Sequence, residues 1–363
     1  MRKHHPDNER IKRKYLIFQK EARQQHEATI DSIAKSLARF EEYTKCRDFK
    51  LFHFEQAVAF KRNLAAQTNK QTGKPLSKST INIALNHLKG FFEWLSQQPG
   101  YKSRLNYSDA EYFNLSKKDT RIATAKRPTP VPTIEQIKHV LAAMPSGNDI
   151  ELRNRALIAF TLLTGARDSA TASLSLRHVN LDEGYIFQDA RDVNTKFSKT
   201  FTTYFFPVGM DVAKIFSDWV IHLKNNLLWG NEDPIFPSTK IEIGKESQFE
   251  PNGLKREHWK TTSPIRSIFK QAFKMVELPY FNPHSFRNTL VRFGEQRCTT
   301  PEEFKAWSQN LGHQNVMTTF MSYGEVPQTR QAEILGRLLP NENTNHDHLA
   351  KVIGRMIIDA KIC

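Results

Sequence analysis

Residues 282–323 read NPHSFRNTLVRFGEQRCTTPEEFKAWSQNLGHQNVMTTFMSY, and they contain two short motifs, His284-Ser-Phe-Arg287 and Leu-Gly-His313. Residues three apart share one face of a helix, so His284 and Arg287 are expected to point at one object. Tyr323 follows the second motif by ten residues. An arginine donates paired hydrogen bonds to phosphate oxygens, an imidazole donates or moves a proton, and a phenol is a candidate nucleophile. Each motif alone is common in ordinary helices and turns, but together they predict a phosphate-binding site.

The basic character of the chain indicates a polyanionic partner. It has 53 Lys and Arg against 38 Asp and Glu, a formal net charge of +15 over 363 residues. Residues 1–25 carry a net +5 and residues 26–125 a net +6, whereas residues 128–363 carry only +2. A chain of this length is expected to form two domains. We therefore expect a nucleic acid as the partner, bound mainly by the first third of the chain.

The cysteines and the apolar runs favour a cytoplasmic protein associated with the nucleoid. Cys46, Cys298 and Cys363 show no metal-ligand or disulfide spacing, as expected in a reducing cytosol. The N-terminal sequence lacks the apolar core of a secretory signal. The longest apolar run, residues 156–163, is too short to cross a bilayer. No membrane partner is therefore expected.

Composition and hydrophobic periodicity divide the chain into five parts. A polar, basic and proline-rich segment reads as an interdomain linker. The basic segment at the N-terminus is expected to be partly helical from Glu9 onward, and it is either a disordered tail or an extension that touches DNA. The five parts are an N-terminal arm (1–25), a helical DNA-binding domain (26–115), the linker (116–132), a second domain (133–340) and a C-terminal tether with a helix (341–363).

Each domain has its own pattern of predicted elements. In the first, apolar residues recur with helical spacing at 27–46 and 54–67, and in a helix opened by Ser77 or Ser79 and stopped by Pro99. In the second, Thr133-Ile-Glu-Gln136 forms a capping box that opens a helix. Further helices are predicted at 150–163, 211–227, 264–276, 284–296 and from Pro301, with strands at 185–189 and 200–208.

Three local matches resemble the tyrosine recombinase family, which includes the phage integrases and the Xer-type resolvases. Thr-Gly-Ala-Arg167 ends a predicted buried helix, as the first arginine of the family does. Ser-Lys199-Thr lies eight residues before Pro207, like the lysine of the family's β-hairpin. The motifs of residues 282–323 resemble the C-terminal boxes of the family. The resemblance covers about residues 27–337, and the site residues that it implies are Arg167, Lys199, His284, Arg287, His313 and Tyr323.

The chain departs from the family pattern at two positions. An acidic residue often lies three positions after the first arginine, where this chain has Ala170. Asp168 lies beside that arginine but need not replace the missing carboxylate. A histidine often follows the second arginine, where this chain has Asn288. Both departures leave the orientation of the two arginines open.

The resemblance implies a mainly α fold with a small antiparallel β-sheet. A helical core-binding domain and a catalytic domain of the tyrosine recombinase type would close around duplex DNA as a clamp. Tyr323 would attack a phosphodiester and be left as a 3′-phosphotyrosine, which stores the energy of the broken bond. No cofactor is expected, because the chain has no Walker-type phosphate loop and no Asp/Glu cluster beside the motifs that could hold two metal ions.

The chemistry of a phosphodiester gives the other side chains their expected roles. Attack by a phenol oxygen adds negative charge to a five-coordinate transition state. Arg167 and Arg287 would neutralise this charge, aided by His313. Lys199 would protonate the departing 5′ oxygen, and His284 would accept or relay the phenol proton.

The implied partners are double-stranded DNA and further copies of this chain. Recombination joins two duplexes with two sites on each, so the resemblance implies a homotetramer on DNA. The C-terminal helix, with its stripe from Leu349 to Ile357, is expected to dock on a neighbouring protomer or else to pack on its own domain. An accessory DNA-bending or directionality protein stays open as a further partner.

Several functions fit the same residues. Integration or excision of a mobile element is favoured, and a chromosome-dimer or plasmid resolvase of the Xer type is the main alternative. A type IB topoisomerase also combines a tyrosine with a group of positively charged side chains around the phosphate. The compact helical first domain favours a recombinase. A catalytically degenerate DNA-binding protein is the alternative from another class, and the intact residue set argues against it.

Overall fold

The computed structural model describes residues 4–69, 72–125, 130–243 and 248–313. These residues are mainly helical and include two small antiparallel sheets, so the predicted fold class is confirmed. The chain divides into two compact units, residues 1–126 and 127–363. Tyr323 and the predicted C-terminal helix lie outside the described residues. Within the described ranges, no helix is long and apolar enough to span a membrane.

The N-terminal unit is built around a cluster of phenylalanine rings. Phe40 lies at its centre, with ring centroids 5.1 Å from Phe60 and 5.4 Å from Phe92 in edge-to-face geometry. Three of its helices confirm the helices predicted for the first domain. The helices are α1 (Pro6–Ile17), α2 (Glu27–Thr44), α3 (Phe54–Ala66), α4 (Lys78–Leu95) and α5 (Lys117–Thr124), with short helical turns at Phe18–Ala22, Phe49–Leu51 and Tyr107–Phe113.

Helix α1 confirms the helix expected from Glu9 onward and begins earlier, at Pro6, so this part of the N-terminal arm is not a disordered tail. Asn8 is fully buried, and its amide donates to the carbonyl oxygen of Arg47 at 2.9 Å and accepts from the backbone N–H of Phe49 at 3.0 Å. Ile11 and Tyr15 are also buried in the core. This buried face was not predicted from the sequence, because basic side chains are frequent in α1. The helix is therefore part of the N-terminal core.

The predicted linker also contains regular structure. Residues Lys117–Thr124 form α5, which Ser116 caps by accepting from the N–H of Asp119 at 3.0 Å. Asp119 also pairs with Lys78 of α4 at 3.0 Å. These contacts attach the first half of the predicted linker to the N-terminal unit.

The C-terminal unit combines seven helices with two small sheets in its described part. Strands β1, β2 and β3 form one antiparallel sheet in that order, and β4 pairs with β5 in a separate hairpin. The helices are α6 (Ile134–Ala143), α7 (Asp149–Thr164), α8 (Asp168–Thr171), α9 (Met210–Ile221), α10 (Ser263–Met275), α11 (Pro283–Arg297) and α12 (Pro301–Asn310). The strands are β1 (Val179–Asn180), β2 (Tyr185–Gln188), β3 (Phe201–Tyr204), β4 (Ser238–Ile243) and β5 (Phe249–Lys255).

Most predicted elements of this unit are confirmed, but β3 is shorter than the predicted strand at 200–208. The backbone leaves the sheet after Tyr204, because the N–H of Phe206 donates to the carbonyl oxygen of Leu163 at 2.7 Å. Phe206 and Val208 then enter the core, where they are 3% and 4% exposed. The hairpin of β4 and β5 was not predicted. Its apolar side chains are largely exposed, so it lacks the buried-face pattern of a core strand.

Helix α7 lies at the centre of the C-terminal unit, and all its residues from Ala156 to Thr164 are buried. It ends at Gly165, whose φ of 58° is left-handed and whose N–H donates to the carbonyl oxygen of Thr161 at 2.9 Å. A Cβ at Gly165 would lie 2.9 Å from side-chain carbons of both Leu290 and Leu311. The turn therefore requires glycine for both backbone and packing reasons.

We predict that Gly165→Ala lowers the free energy of unfolding by about 2–4 kcal/mol, because it adds backbone strain to overpacking. Gly253→Ala is the matched control. Gly253 has φ 79° but nothing within 4 Å of an added Cβ, so it should lose only about 1 kcal/mol from strain. Urea unfolding of both variants measures the difference. Equal losses would show that the contacts around Gly165 do not matter.

Candidate active site

Arg287, on α11, is the buried centre of the site and is 4% exposed. Its Nη1 donates to the carbonyl oxygen of Gly165, and its Nη2 donates to the carbonyl oxygen of Leu311 at 2.6 Å. The same Nη2 lies 3.2 Å from Nε2 of His313. One side chain thus joins the ends of α7 and α12 to α11, and these are the places where the three sequence motifs lie.

Arg167 brings a second positive charge to this centre. It follows the left-handed turn at Gly165 and is the N-terminal cap residue of α8, where it is half-buried. Burial lowers the pKa of Arg167. Burial and the charge of Arg167 together lower the pKa of Arg287 to about 9. Both guanidinium groups still carry their charge at neutral pH, and two like charges in a partly dehydrated site favour a bound anion.

Both histidines are neutral at pH 7. Burial and then the charges of Arg287 and Arg167 lower the pKa of His313 to about 4. The same causes lower the pKa of His284, although the residue as a whole is exposed. A guanidinium has no acceptor atom, so Arg287 donates to Nε2 of His313. The proton of the neutral His313 ring is therefore on Nδ1.

The connection between β2 and β3 contains two lysines at different positions. Lys196 contributes to lowering the pKa of both His284 and His313. Its Nζ lies 4.8 Å from the ring centroid of Phe197, which has the unusual φ of 62° for a bulky residue. Lys199 is half-buried just before β3. The assignment of Lys199 as general acid stays a prediction.

Arg266 is a residue at the site that the sequence patterns did not reveal. Its Nε and Nη2 lie 2.9 and 2.7 Å from Oδ2 of Asp168, which ties α10 to the N-terminus of α8 beside Arg167. The Asp168 carboxylate raises the pKa of His284 against the surrounding positive charges. Ala170, where the family often has an acidic residue, is 1% exposed. Asp168 therefore supplies negative charge at the edge of the site, but its partner is 98 residues away in sequence and has no local signal.

The structure brings four of the predicted site residues into one cluster, namely Arg167, His284, Arg287 and His313. The cluster combines two fixed cations with two neutral imidazoles, a set suited to a phosphate group. No group of three or more His, Cys, Asp or Glu side chains in the described ranges is arranged to hold a metal ion. The position of Tyr323 lies outside the described residues.

We predict that the pKa of His313 is about 4 in the free protein and rises when inorganic sulfate is added, because an anion offsets the nearby guanidinium charges. NMR titration of the ring carbons measures both values. His87 of the N-terminal unit is the control, since burial alone lowers its pKa and sulfate should leave it unchanged. A free-protein value near 6.5, the ordinary value for histidine, would contradict the prediction.

The lowered pKa of His313 also makes the stability of the folded protein depend on pH. The pKa of His313 is lower in the folded protein than in the unfolded chain, so the unfolded chain binds the proton more readily. This contribution to stability is fully present above pH 6.5 and is lost as the pH falls from about 6.5 to about 4.

Comparison with known proteins gives a family and a fold. Residues 132–330 match the sequence model of the phage integrase family. The tyrosine recombinase XerC of Treponema denticola is 24% identical over 314 residues, which cover 84% of this chain and 90% of that protein. The tyrosine recombinase XerC of Lactobacillus delbrueckii subsp. bulgaricus is 26% identical over 254 residues, which cover 68% of this chain and 72% of that protein.

Two solved structures share the fold. The Tn1549 transposon integrase in complex with transposon right end DNA superposes with a TM-score of 0.59 at 17% identity, over 90% of this chain and 98% of that chain. A lambda integrase dimer bound to a COC′ core site gives a TM-score of 0.58 at 13% identity, over 88% and 96% of the two chains. The family match includes more than half of this chain and contains the whole cluster around Arg287. The protein belongs to the phage integrase family of tyrosine recombinases, enzymes that break and rejoin DNA.

Proposed function

We propose that this protein is a site-specific recombinase that integrates or excises a mobile element through a covalent 3′-phosphotyrosyl intermediate, with Tyr323 as the nucleophile. The cluster of Arg167, His284, Arg287 and His313 is the observation that carries the proposal. It holds concentrated positive charge around Arg287, whose orientation is fixed by two backbone carbonyls. Such a preorganised cation stabilises charge that develops on a phosphate during reaction.

The proposed cleavage step is a transfer of the phosphoryl group from DNA to the enzyme. The phenol oxygen of Tyr323 forms a bond to phosphorus, and the bond from phosphorus to the 5′ oxygen breaks. The phenol proton passes to His284, whose lowered pKa keeps its ring neutral and able to accept it. A lysine of the connection between β2 and β3, assigned as Lys199, gives a proton to the departing 5′ oxygen. Rejoining reverses these transfers, with a 5′ hydroxyl as the nucleophile.

Arg167 and Arg287 bind the non-bridging oxygens in this proposal. Arg287 already donates to Gly165 and Leu311, so its remaining N–H groups and its contact with His313 are what a phosphate would meet. A bound phosphate would replace His313 as the partner of that N–H. The neutral imidazole would then change tautomer, so that Nε2 carries the ring proton and donates it to the same oxygen.

We predict that Tyr323→Phe abolishes covalent attachment to DNA while duplex binding persists, because the change removes a single oxygen. A nicked suicide substrate traps the covalent complex, which a denaturing gel detects. Tyr280→Phe is the control. Tyr280 is a half-exposed tyrosine near the site, and the charges of Arg266 and Asp168 act on its pKa. An adduct that survives in Tyr323→Phe and disappears in Tyr280→Phe would reverse the assignment.

We predict that Lys199→Ala slows cleavage of ordinary DNA by about 100-fold or more, and that Lys196→Ala slows it less. A substrate with a 5′-thio leaving group needs little protonation and should restore the rate of the variant that lacks the general acid. Single-turnover cleavage of both substrates by both variants measures this. Rescue of Lys196→Ala instead would transfer the role to Lys196, whose charge contributes to lowering the pKa of both histidines.

The proposed partners are duplex DNA and three further copies of this chain, with an accessory DNA-bending or directionality protein as an additional candidate. A chromosome-dimer or plasmid resolvase is the second candidate function, favoured by the relatives named XerC. Sequencing of the covalently captured DNA distinguishes the two. Capture at the ends of a mobile element supports integration or excision, whereas capture at one chromosomal or plasmid site supports resolution.

A further inference from the structure

Among the described residues, β3 forms one edge of the three-stranded sheet. The side chain of Asn310, the last residue of α12, makes hydrogen bonds to this edge. Strand β3 is an edge strand, and the N–H of Phe205 donates inward to the carbonyl oxygen of Gly184 at 2.8 Å. The N–H and C=O of Tyr204 therefore point outward, as the alternation of an antiparallel strand requires. Asn310 Oδ1 accepts from the N–H of Tyr204 at 2.7 Å, and Asn310 Nδ2 donates to its carbonyl oxygen at 2.9 Å.

A second contact joins the same two elements through the backbone of Asn310. The hydroxyl of Thr203 donates to the carbonyl oxygen of Asn310 at 3.1 Å, and it accepts from Nε2 of Gln188 on β2 at 3.0 Å. Thr203 is 1% exposed, so these bonds are shielded from water. The carbonyl at the end of α12 would otherwise have no partner within its helix. The end of α12 is therefore fixed to β3 directly and to β2 through the Thr203 hydroxyl.

Close packing completes the junction on the other side of the Leu-Gly-His motif. Gly312 has φ 71°, and a Cβ there would lie 2.7 Å from the ring of Phe201, the first residue of β3. His313 follows directly after Gly312, and Lys199 lies two residues before Phe201. The junction thus reaches from one predicted site residue to the other.

We propose that Asn310 is a positioning residue that couples the lysine-bearing connection between β2 and β3 to His313. An asparagine side chain suits this place because its amide carries one donor and one acceptor, like one residue of a neighbouring strand. With the start of β3 held at Gly312 and its end held at Asn310, the base of the connection moves together with the His313 motif. The general-acid lysine and the phosphate-binding histidine then keep a fixed position relative to each other. This inference rests on the proposed function for the role of the lysine.

The test is single-turnover cleavage by Asn310→Ala and Asn310→Asp, with Gln309→Ala as the control. Gln309 is the preceding residue of α12 and is exposed. We expect both Asn310 variants to cleave ordinary DNA about 10- to 100-fold more slowly, because a displaced lysine donates its proton poorly. The 5′-thio substrate should restore their rates to within about threefold of the unchanged enzyme. Gln309→Ala should match the unchanged enzyme on both substrates.

A second measurement does not depend on the lysine. NMR hydrogen exchange in the free protein should show faster exchange of the Tyr204 amide in Asn310→Ala, accompanied by a changed His313 titration. If Lys199→Ala and Lys196→Ala both fail to respond to the 5′-thio substrate, the general-acid assignment fails, and the exchange and titration data then decide the coupling by themselves.

Three results would overturn the coupling. The first is that the Asn310 variants lose cleavage rate equally on ordinary DNA and on the 5′-thio substrate, while the 5′-thio substrate restores the rate of a lysine variant. The second is an unchanged Tyr204 exchange rate together with an unchanged His313 titration. The third is loss of cooperative unfolding in both Asn310 variants, which would give the residue a structural role only.

Discussion

The hydrogen bonds of Arg287 to two backbone carbonyls are the constraint on which the site depends. A buried guanidinium without partners would cost several kcal/mol, so the fold must bring acceptors to it. It does so at helix ends, where carbonyl oxygens lack partners within the helix. Gly165 presents one of these oxygens just after α7, and Leu311 presents the other just after α12. The left-handed turn at Gly165 is therefore as necessary to the site as the arginine itself.

The charges of the site favour the protein with a bound phosphate over the free protein. Burial lowers the pKa of both Arg167 and Arg287, the charge of Arg167 lowers that of Arg287 further, and both arginines lower the pKa values of the two histidines. Among the described residues, the site thus keeps an excess of positive charge in spite of Asp168, and a phosphate would offset this excess. Functional sites commonly hold such locally unfavourable arrangements, supported by the stability of the surrounding fold. Here that support comes from the buried helix α7 and its contacts with α9 and α11.

The sequence patterns predicted elements well where one face is buried, and less well elsewhere. The predicted helices that fall within the described residues of both units are present because their apolar residues recur with helical spacing. Helix α1 was expected only from Glu9 onward, and its buried face, which includes the polar residue Asn8, was not predicted. The hairpin of β4 and β5 was missed because its apolar side chains, such as Ile243 and Phe249, remain exposed. The strand at β3 was predicted too long, because a backbone bond to Leu163 takes Phe206 out of the sheet.

The sequence by itself determined which chemical groups the protein has and which helices and strands carry them. Spacing within a motif placed His284 and Arg287 on one face of a helix, because helical geometry repeats over a few residues. Only the tertiary structure decided the partners of these groups. Arg287 meets the Gly165 carbonyl across 122 residues, Arg266 meets Asp168 across 98, and Asn310 meets Tyr204 across 106. No local periodicity encodes contacts at such separations, because they arise when packing of the apolar faces brings distant helix ends and strand edges together.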